Sequence, residues 1–421
     1  MRLYRAPRGT TDILPEEQVY WRYIEQKAAR ICQLYGYERI DSPAFEDTSL
    51  FTRSVGAGTD IVEKEMYSFT DKGGNQLTLR PEGTAPVCRA YLEHGFHSRP
   101  QPVKLYYLAP IFRYERPQAG RYRQHCQFGC EAIGDDDPSL DAENIELAWQ
   151  FFHSLGLQHL TLQLNSIGCR KCRPGYLGVL KEYYAGHAAA LCNDCRKRLN
   201  RNLLRLLDCK QPSCQDAADQ APRSTDHLCP QCREHFDRLI TCLNRLKIPF
   251  TLNHRLVRGL DYYTRTVFEI QPENGGAQST ICGGGRYDDL IEEIGGRPTP
   301  AIGFAIGLER IILNLKAQSV PIPPLPRPTV FIAHQGDEAR DETSRLASIL
   351  RQAGVGVILA TGNRSLKAQL RQANNLGVHH TVIIGDEELK NGTASLRDMA
   401  TAEQKTVSIK ELPQFLKASD I

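Results

Sequence analysis

The chain has 421 residues, 41% hydrophobic and 24% charged, which excludes disorder as its main state and leaves room for two to four domains with sizeable cores. Its 52 basic and 49 acidic side chains leave a net +3, too even to name a partner, because a basic face can hide within it. No stretch approaches about 18 uncharged apolar residues, and the N-terminal MRLYRAPRGTTDILPEEQ has no apolar signal core, so a cytoplasmic protein with no membrane partner is expected.

Pro15-Glu16-Glu17 opens the first predicted helix with proline and acids suited to a helix N-terminus. Val19, Tyr20, Tyr23, Ile24, Ala28, Ile31 and Leu34 follow at helical spacing, and Gly36 ends the run. An extended run from Tyr37 leads to Phe45. From Met66 to Gly134 the pattern turns to strands, in MYSFTD, QLTLRPEGT, VKLYYLAPIFRYE and CQFGCEAIG, with a hairpin turn at DKGGN and a helix over 85–94. A second helix covers 139–155. After a cysteine-rich segment, strands resume in HRLVRGLDYYTRTVFEIQ and STICGGGRYDDL, and a helix over 307–315 closes this part. Antiparallel strands with interspersed helices predict an α+β domain rather than a doubly wound sheet. The proline-rich VPIPPLPRP then reads as an extended, fairly stiff linker. Beyond it TVFIAH, VGVILA and HHTVIIG alternate with helical stretches 337–353 and 364–376, as in a separate α/β unit with a largely parallel sheet. The layout is thus 1–168, an insertion 169–247, a second part 248–317, a linker 318–327, and a unit 328–421.

The strongest local signal is FRYERPQAGRYRQHCQFGCE, residues 112–131. Arg113, Arg116, Arg121 and Arg123 sit on two predicted strands joined by a Pro/Gly turn. Their planar guanidiniums suit a polyphosphate, although alone they read equally as a solvated hairpin. In the following strand Gln127 and Glu131 fall on one face by period two, and an amide and a carboxylate beside arginines suit a small zwitterion. In Arg80-Pro81-Glu82-Gly83-Thr84, Glu82 could take an ammonium and Thr84 could cap the next helix; a plain cap explains the segment as well. Arg258-Gly259-Leu260-Asp261-Tyr262-Tyr263 sits at a strand start, where glycine lets a ligand approach the backbone. Alternation would put the two tyrosines on opposite faces, so both reaching one ligand requires a bend. Gly283-Gly284-Gly285-Arg286-Tyr287 by itself reads as a plain turn sooner than a phosphate loop. In PAIGFAIGLER, residues 300–310, Arg310 falls in the first turn of a helix; with Glu309 it otherwise reads as a surface ion pair.

Together and in this order, these segments resemble the histidyl-tRNA synthetases, a family of class II aminoacyl-tRNA synthetases, over nearly the whole chain. The arginine-rich hairpin is similar to the family's motif 2, PAIGFAIGLERI to motif 3, and segment 43–56 to the dimer-forming motif 1. RGLDYY and GGGRYD are similar to two histidine-specific signatures. The resemblance implies a homodimer with a class II antiparallel sheet and flanking helices, a cysteine-rich, mainly helical insertion, and a C-terminal α/β anticodon-binding domain. The implied reaction turns histidine and ATP into histidyl-adenylate and pyrophosphate, then passes histidine to the 3′ end of its tRNA. Mg2+ accompanies ATP, and DNA is no partner. By the same resemblance Glu82, Gly83, Thr84, Gln127, Glu131, Tyr262, Tyr263 and Tyr287 surround histidine. Arg113 and Arg258 act on the α-phosphate, Arg258 as a fixed cation where other class II enzymes use a metal. Arg121 and Arg310 hold the β/γ-phosphates. His125 stands where the family commonly has a phenylalanine that packs on adenine. The whole reading requires a cation from each half of the split domain to face one phosphorus atom.

Eight of the fourteen cysteines fall between Cys169 and Cys232, which in a cytosolic chain favours metal over disulfides. Cys169-x2-Cys172 with Cys192-x2-Cys195 predicts a tetrahedral zinc site with no open position, and Cys209, Cys214, Cys229 and Cys232 a second. The insertion is basic, with twelve lysines and arginines against seven acids over 169–235. Arg196, Lys197, Arg198, Arg201 and Arg205 around Leu199, Leu203, Leu206 and Leu207 predict an amphipathic helix, its basic face either merely solvated or set against the acceptor stem of tRNA. Two rival readings stand beside the ligase. One is a non-catalytic, histidine-sensing regulatory subunit of ATP phosphoribosyltransferase; the other is a zinc-ribbon nucleic-acid binder. Arg113, Arg121, Arg258 and Arg310, with the unit after residue 327, speak against the first. The ATP and histidine constellations speak against the second.

Overall fold

In the computed structural model, which describes residues 3–56, 59–118, 120–273 and 280–418, the first helix, α1 (Gln18–Leu34), buries Trp21, Ile24, Ala28, Ile31 and Cys32. That spacing is one apolar stripe. The helix gives way at Gly36, whose φ of +73° suits a residue without a Cβ. The extended run after it forms only the short strand β1 (Glu38–Arg39). Strands β2 (Phe45–Asp47), β3 (Tyr67–Thr70) and β4 (Gln76–Leu79) make a small antiparallel sheet ordered β2-β4-β3. Its hairpin is held by Asp71, whose carboxylate accepts from the Asn75 amide at 2.8 Å.

The main sheet adds β5 (Val103–Phe112), β6 (Gln124–Ile133), β7 (Leu160–Ser166), β8 (Phe250–Leu252), β9 (Thr264–Pro272), β10 (Cys282–Arg286) and β11 (Ala301–Gly307). Its order is β1-β5-β6-β11-β10-β9-β7-β8. The inner strands pair antiparallel, while β1 beside β5 and β8 beside β7 run parallel. The glycine run expected as a turn is β10, a buried central strand. Glycine is needed there for room: a Cβ on Gly284 would meet the Phe268 ring at 2.7 Å.

The helices of this unit are α2 (Thr48–Ser54), α3 (Thr84–Glu93), α4 (Pro138–Ser154), α5 (Arg173–Gly186), α6 (Asn193–Arg198), α7 (Pro212–Asp219), α8 (Pro230–Arg245), α9 (Leu290–Glu293) and α10 (Leu308–Ala317). Phe128, Cys130 and Ala132 of β6 share one core with Ile302, Phe304 and Ile306 of β11 and the apolar sides of α1, α4, α8 and α10. The Phe128 and Phe151 ring centroids lie 4.9 Å apart. Truncating the fully buried Phe128 to alanine would cost about 3–5 kcal/mol, a large share of a domain's stability. Strand alternation leaves Gln127, Gly129 and Glu131 for the opposite face, which the candidate site occupies.

The basic stretch expected as one amphipathic helix is broken. Helix α6 stops at Arg198, and a short 3-10 turn, Leu203–Leu206, follows. Arg198 pairs with Asp60 at 3.2 Å and Arg201 with Glu63 at 3.5 Å, both acids outside the insertion.

Two compact units divide the chain, Met1–Pro323 and Pro324–Ile421. The second holds β12 (Val330–Gln335), α11 (Asp337–Gln352), β13 (Val357–Leu359), α12 (Leu366–Leu376), β14 (His380–Gly385), α13 (Asp386–Asn391), β15 (Thr393–Asp398), β16 (Gln404–Ser408) and α14 (Leu412–Ala418). Strands β13, β12 and β14 are parallel, and β15 and β16 extend the sheet antiparallel, so it is mixed rather than largely parallel. Gln369 of α12 pins that helix to β12: its amide donates to the His334 carbonyl and accepts from the His334 N–H, both at 2.9 Å.

Candidate active site

Where β4 runs out, Arg80 is buried and donates to the carbonyls of Pro110 at 2.8 Å and Ser42 at 2.7 Å. That clamp fixes the turn that follows. Glu82 then caps α3, its two carboxylate oxygens accepting from the amides of Thr84 at 2.6 Å and Ala85 at 2.8 Å. Glu82, not Thr84, is therefore the cap. Thr84 donates instead to Glu131 at 2.8 Å, and the Tyr287 hydroxyl donates to the other Glu131 oxygen at 2.5 Å. Burial raises the Glu82 carboxyl and pushes that of Glu131 up to about 8. Carboxyl groups held this way cluster at functional sites.

A cavity of ≈ 560 Å³ opens on this face, a volume suited to small ligands. Glu82, Thr84, Gln127, Tyr262, Tyr263 and Tyr287 line it. Glu131 is fully buried behind the wall, where it holds Thr84 and Tyr287. Gly83 is also behind the wall: a Cβ there would run into the ring of Tyr107. Tyr262 and Tyr263 sit before β9 begins at Thr264, not within it. The irregular backbone supplies the required bend, and the two rings lie 4.8 Å apart.

The sequence reading did not single out Tyr107. Its signal was indirect: in the β5–β6 register it faces Gly129, another position where a Cβ would strike the ring. The Tyr107 hydroxyl and the Gln127 Oε1 are buried with no hydrogen-bond partner among the described residues. Such atoms are costly unless a ligand or water meets them.

The four arginines of the 112–131 segment are on neither strand. β5 ends at Phe112 and β6 begins at Gln124, because backbone amides of the connection are drawn elsewhere: Tyr114 to Glu65 and Arg123 to Gly9, both at 2.7 Å. Arg113 and Arg121 line the cavity. Arg123 stacks on Tyr114 at 3.8 Å, and Arg116 is exposed. Arg113 is aimed by its Nε–H, which donates to the Pro81 carbonyl at 2.7 Å. Glu115, also missed, lies 3.4 Å from Arg121.

Arg258 and Arg310 reach the same cavity from the second part of the unit. Arg258 is paired with Glu269, which Thr280 anchors by a 2.7 Å hydrogen bond. Arg310 donates to the Gly120 carbonyl at 3.3 Å and the Thr280 carbonyl at 2.5 Å. Burial, then the neighbouring Arg121 cation, lowers the proton affinity of Arg310. Its neighbour Glu309 is no surface partner: it accepts from the Cys126 amide at 2.8 Å, and burial pushes it up to about 7. His125 lines the cavity as well. Burial and then the Arg113 cation push its ring down to about 3. The site is therefore cationic at one end and acidic at the other, as an anionic nucleotide beside an ammonium would need.

The insertion supplies the remaining wall through Arg198, Arg205, Asp208, Lys210 and Gln211. Its eight cysteines form two groups whose sulfurs lie within 4.8 Å of one another, Cys169/Cys172/Cys229/Cys232 and Cys192/Cys195/Cys209/Cys214. Both are free thiols and either could hold a metal. The expected pairing of Cys169 and Cys172 with Cys192 and Cys195 is overturned. The chain leaves the sheet after β7 and returns through α8, so the entering pair meets the leaving pair and the middle four meet each other.

A family model described as histidyl-tRNA synthetase matches residues 9–311, and one described as an anticodon binding domain matches residues 329–419. A histidine–tRNA ligase of Dehalococcoides mccartyi is 62% identical over 410 residues, 97% of this chain and 98% of its own length. One of Desulforamulus reducens is 50% identical over 416 residues, 99% of each chain. The crystal structure of apo histidyl-tRNA synthetase from S. aureus matches with a TM-score of 0.83 at 38% identity, covering 99% of this chain and 100% of that one. The fold is that of the class II synthetases. Similarity along the full length to ligases does not favour a regulatory subunit.

Proposed function

The chain belongs to the histidyl-tRNA synthetase family, and from that premise we propose that this cavity is where histidine and ATP become histidyl-adenylate and pyrophosphate. The protein is an ATP-dependent histidine–tRNA ligase, and the histidyl group then passes to the 3′ end of the tRNA. One observation carries the assignment of the cavity: Arg113 and Arg258, from the parts of the unit before and after the insertion, line it together with Glu82, Thr84 and Gln127.

A histidine carboxylate oxygen attacks the α-phosphorus, and the bond to the bridging oxygen of pyrophosphate breaks. No side-chain nucleophile is needed, so the protein acts by positioning and by offsetting charge at the reacting phosphorus. Arg113, aimed by Pro81, and Arg258, fixed by Glu269, face that phosphorus. Arg121 and Arg310 hold the outer phosphates. Mg2+ would accompany ATP as part of the substrate and offset charge on its outer phosphates, and Glu115, which lines the cavity, would offer it a hard oxygen donor. Glu82 takes the ammonium of histidine, and Gln127, Tyr262 and Tyr263 read its imidazole. Glu131 acts through Thr84 and Tyr287, and Gly83 makes room for Tyr107. The uncharged ring of His125 stacks on adenine.

Each cysteine group would hold one Zn2+ on its four thiolates, which leaves no open position, so the metal would be structural. The second unit binds the anticodon side of the tRNA, and the exposed Arg196 and Lys197 meet acceptor-stem phosphates. Segment 43–56 joins two copies, with Phe45 and Phe69 exposed beside each other at 6.3 Å between ring centroids.

The test is histidine-dependent exchange of pyrophosphate into ATP, followed by transfer of histidine to tRNA. Both are expected, and a folded protein with neither removes the reading. Arg113→Gln should slow the exchange by about 10²–10³.

A further inference from the structure

The two cysteine groups hold different places in the fold. Cys169, Cys172, Cys229 and Cys232 staple the base of the insertion, where the chain enters and leaves it. The other four lie inside it. Cys192 immediately precedes α6 and Cys195 is on it, while Cys209 and Cys214 follow the 3-10 turn. Sulfur separations agree with a ligand tetrahedron. Zinc–sulfur bonds of about 2.3 Å place neighbouring sulfurs about 3.8 Å apart. Cys169 and Cys172 are 3.8 Å apart, Cys169 and Cys229 4.0 Å, Cys172 and Cys232 3.9 Å, and Cys192 and Cys209 3.9 Å.

Between Cys195 and Cys209 the chain has little regular structure, only the end of α6 and the 3-10 turn. A ligand bond at each end is what closes such a loop against its entropy. That loop is wired to the segment carrying Arg258. Asn202 donates to Asp261 at 2.9 Å, and Arg255 donates to the Leu207 carbonyl at 3.1 Å and the Cys209 carbonyl at 3.4 Å. Arg205 lies over Gly259, where a Cβ would stand 2.7 Å from its guanidinium nitrogen. Leu206, Leu207 and Cys209 share one apolar cluster with Tyr262, Tyr263 and Tyr287.

We propose that zinc in the Cys192/Cys195/Cys209/Cys214 group is a positioning element of the catalytic cavity: it fixes the 196–208 loop, which holds the 255–263 segment and with it Arg258. This rests on the reading of the cysteine groups as zinc sites. The metal does no chemistry on substrate. It keeps a cation aimed at phosphorus from a part of the chain with little secondary structure of its own.

The experiment counts zinc per chain in the full-length protein and measures the pyrophosphate-exchange rate per active site, with active sites titrated by adenylate formation. The parent should carry two zincs. Cys209→Ser should keep one, with the rate per titrated site down roughly tenfold. Cys209→His, which can still bind zinc, should restore the second metal and most of the rate. A merely structural role would lower the fraction of active sites and leave the rate per site alone. Should Cys209→Ser not fold, Asn202→Ala keeps every thiol and cuts the tie to Asp261; two zincs with a rate several-fold down are expected. Fewer than two zincs in the parent overturns the metal reading itself. One zinc with an unchanged rate per site in Cys209→Ser, or two zincs with an unchanged rate per site in Asn202→Ala, overturns the coupling alone.

Discussion

The guanidinium of Arg258 lies against the backbone of Gly283, so close that any Cβ there would fall inside it. Gly283 is extended within β10 and pairs with Ala305 and Glu269 on either side. Alanine fits such a backbone, and what must yield is the far end of Arg258, which would leave Glu269. Gly283→Ala should therefore slow adenylate formation by roughly 10²-fold, the scale of an ångström misplacement of a reacting group. Its melting temperature should stay near the parent's. Unchanged pyrophosphate exchange would show that the position of Arg258 does not matter.

This contact also marks what the sequence could not convey. GGGRYD was visible as a motif, but as a turn, because three glycines along a chain look like flexibility. In the sheet they are absences of side chains, made necessary by Phe268 and Arg258 on neighbouring segments. Tyr107 was missed for the same reason, since the glycines that admit its ring, Gly83 and Gly129, are remote in sequence or across a strand pair. Helix and strand periodicity located α1, α4, β5 and β6 to within a few residues. Spacing marked the cysteines as candidate metal ligands, and they do gather in two groups of four, yet they were grouped by nearness along the chain, whereas an insertion brings its first and last segments together. Arg113 and Arg121 carried their own chemistry in their type and pattern. Glu269 and Glu115 gain meaning only from the arginines opposite them.

Glu131 predicts a dependence of stability on pH. Burial lifts its carboxyl to about 8 in the folded protein, against 4.5 for an ordinary glutamate. Between those values the folded chain keeps a proton that the unfolded chain gives up. Stability from this group therefore falls as pH rises through that window and levels off above it. Glu131→Gln, which keeps the shape and cannot ionise, should gain on the parent by a few degrees in melting temperature between about pH 5 and pH 9. A melting difference constant with pH would contradict the raised carboxyl.

His125 predicts an effect on nucleotide affinity alone. Its ring, pushed down to about 3 by burial and the Arg113 cation, stays uncharged over about pH 5–8 and should add no titration to the KM for ATP there. Phenylalanine offers a larger apolar face, so His125→Phe should lower the KM for ATP roughly threefold and leave kcat alone. A higher KM in the variant would mean that the imidazole nitrogens matter and that stacking is not its role.

Beneath the site, Arg286 and Asp141 form an ion pair with both side chains at 0% exposure. Thr266 donates to Asp141 at 2.6 Å, while Arg286 also reaches Asp288 at 2.9 Å and donates to the Asp135 carbonyl at 2.6 Å. The pair ties β10 to α4, across the core that supports the cavity. Removing one partner leaves an uncompensated buried charge, so Asp141→Ala should cost roughly 3–5 kcal/mol. Asp288 remains beside Arg286, which favours the lower end of that range. The exposed pair Arg22–Glu25, at 2.9 Å with 59% and 36% side-chain exposure, should cost under about 1 kcal/mol when Arg22 becomes alanine. Both values can be read from urea unfolding followed by tryptophan fluorescence. The chain's two tryptophans, Trp21 and Trp149, both lie in the first unit, so the signal reports the unit that contains both pairs. Equal losses in the two variants would mean that solvent reaches the Arg286–Asp141 pair and that it does not brace the sheet beneath the site.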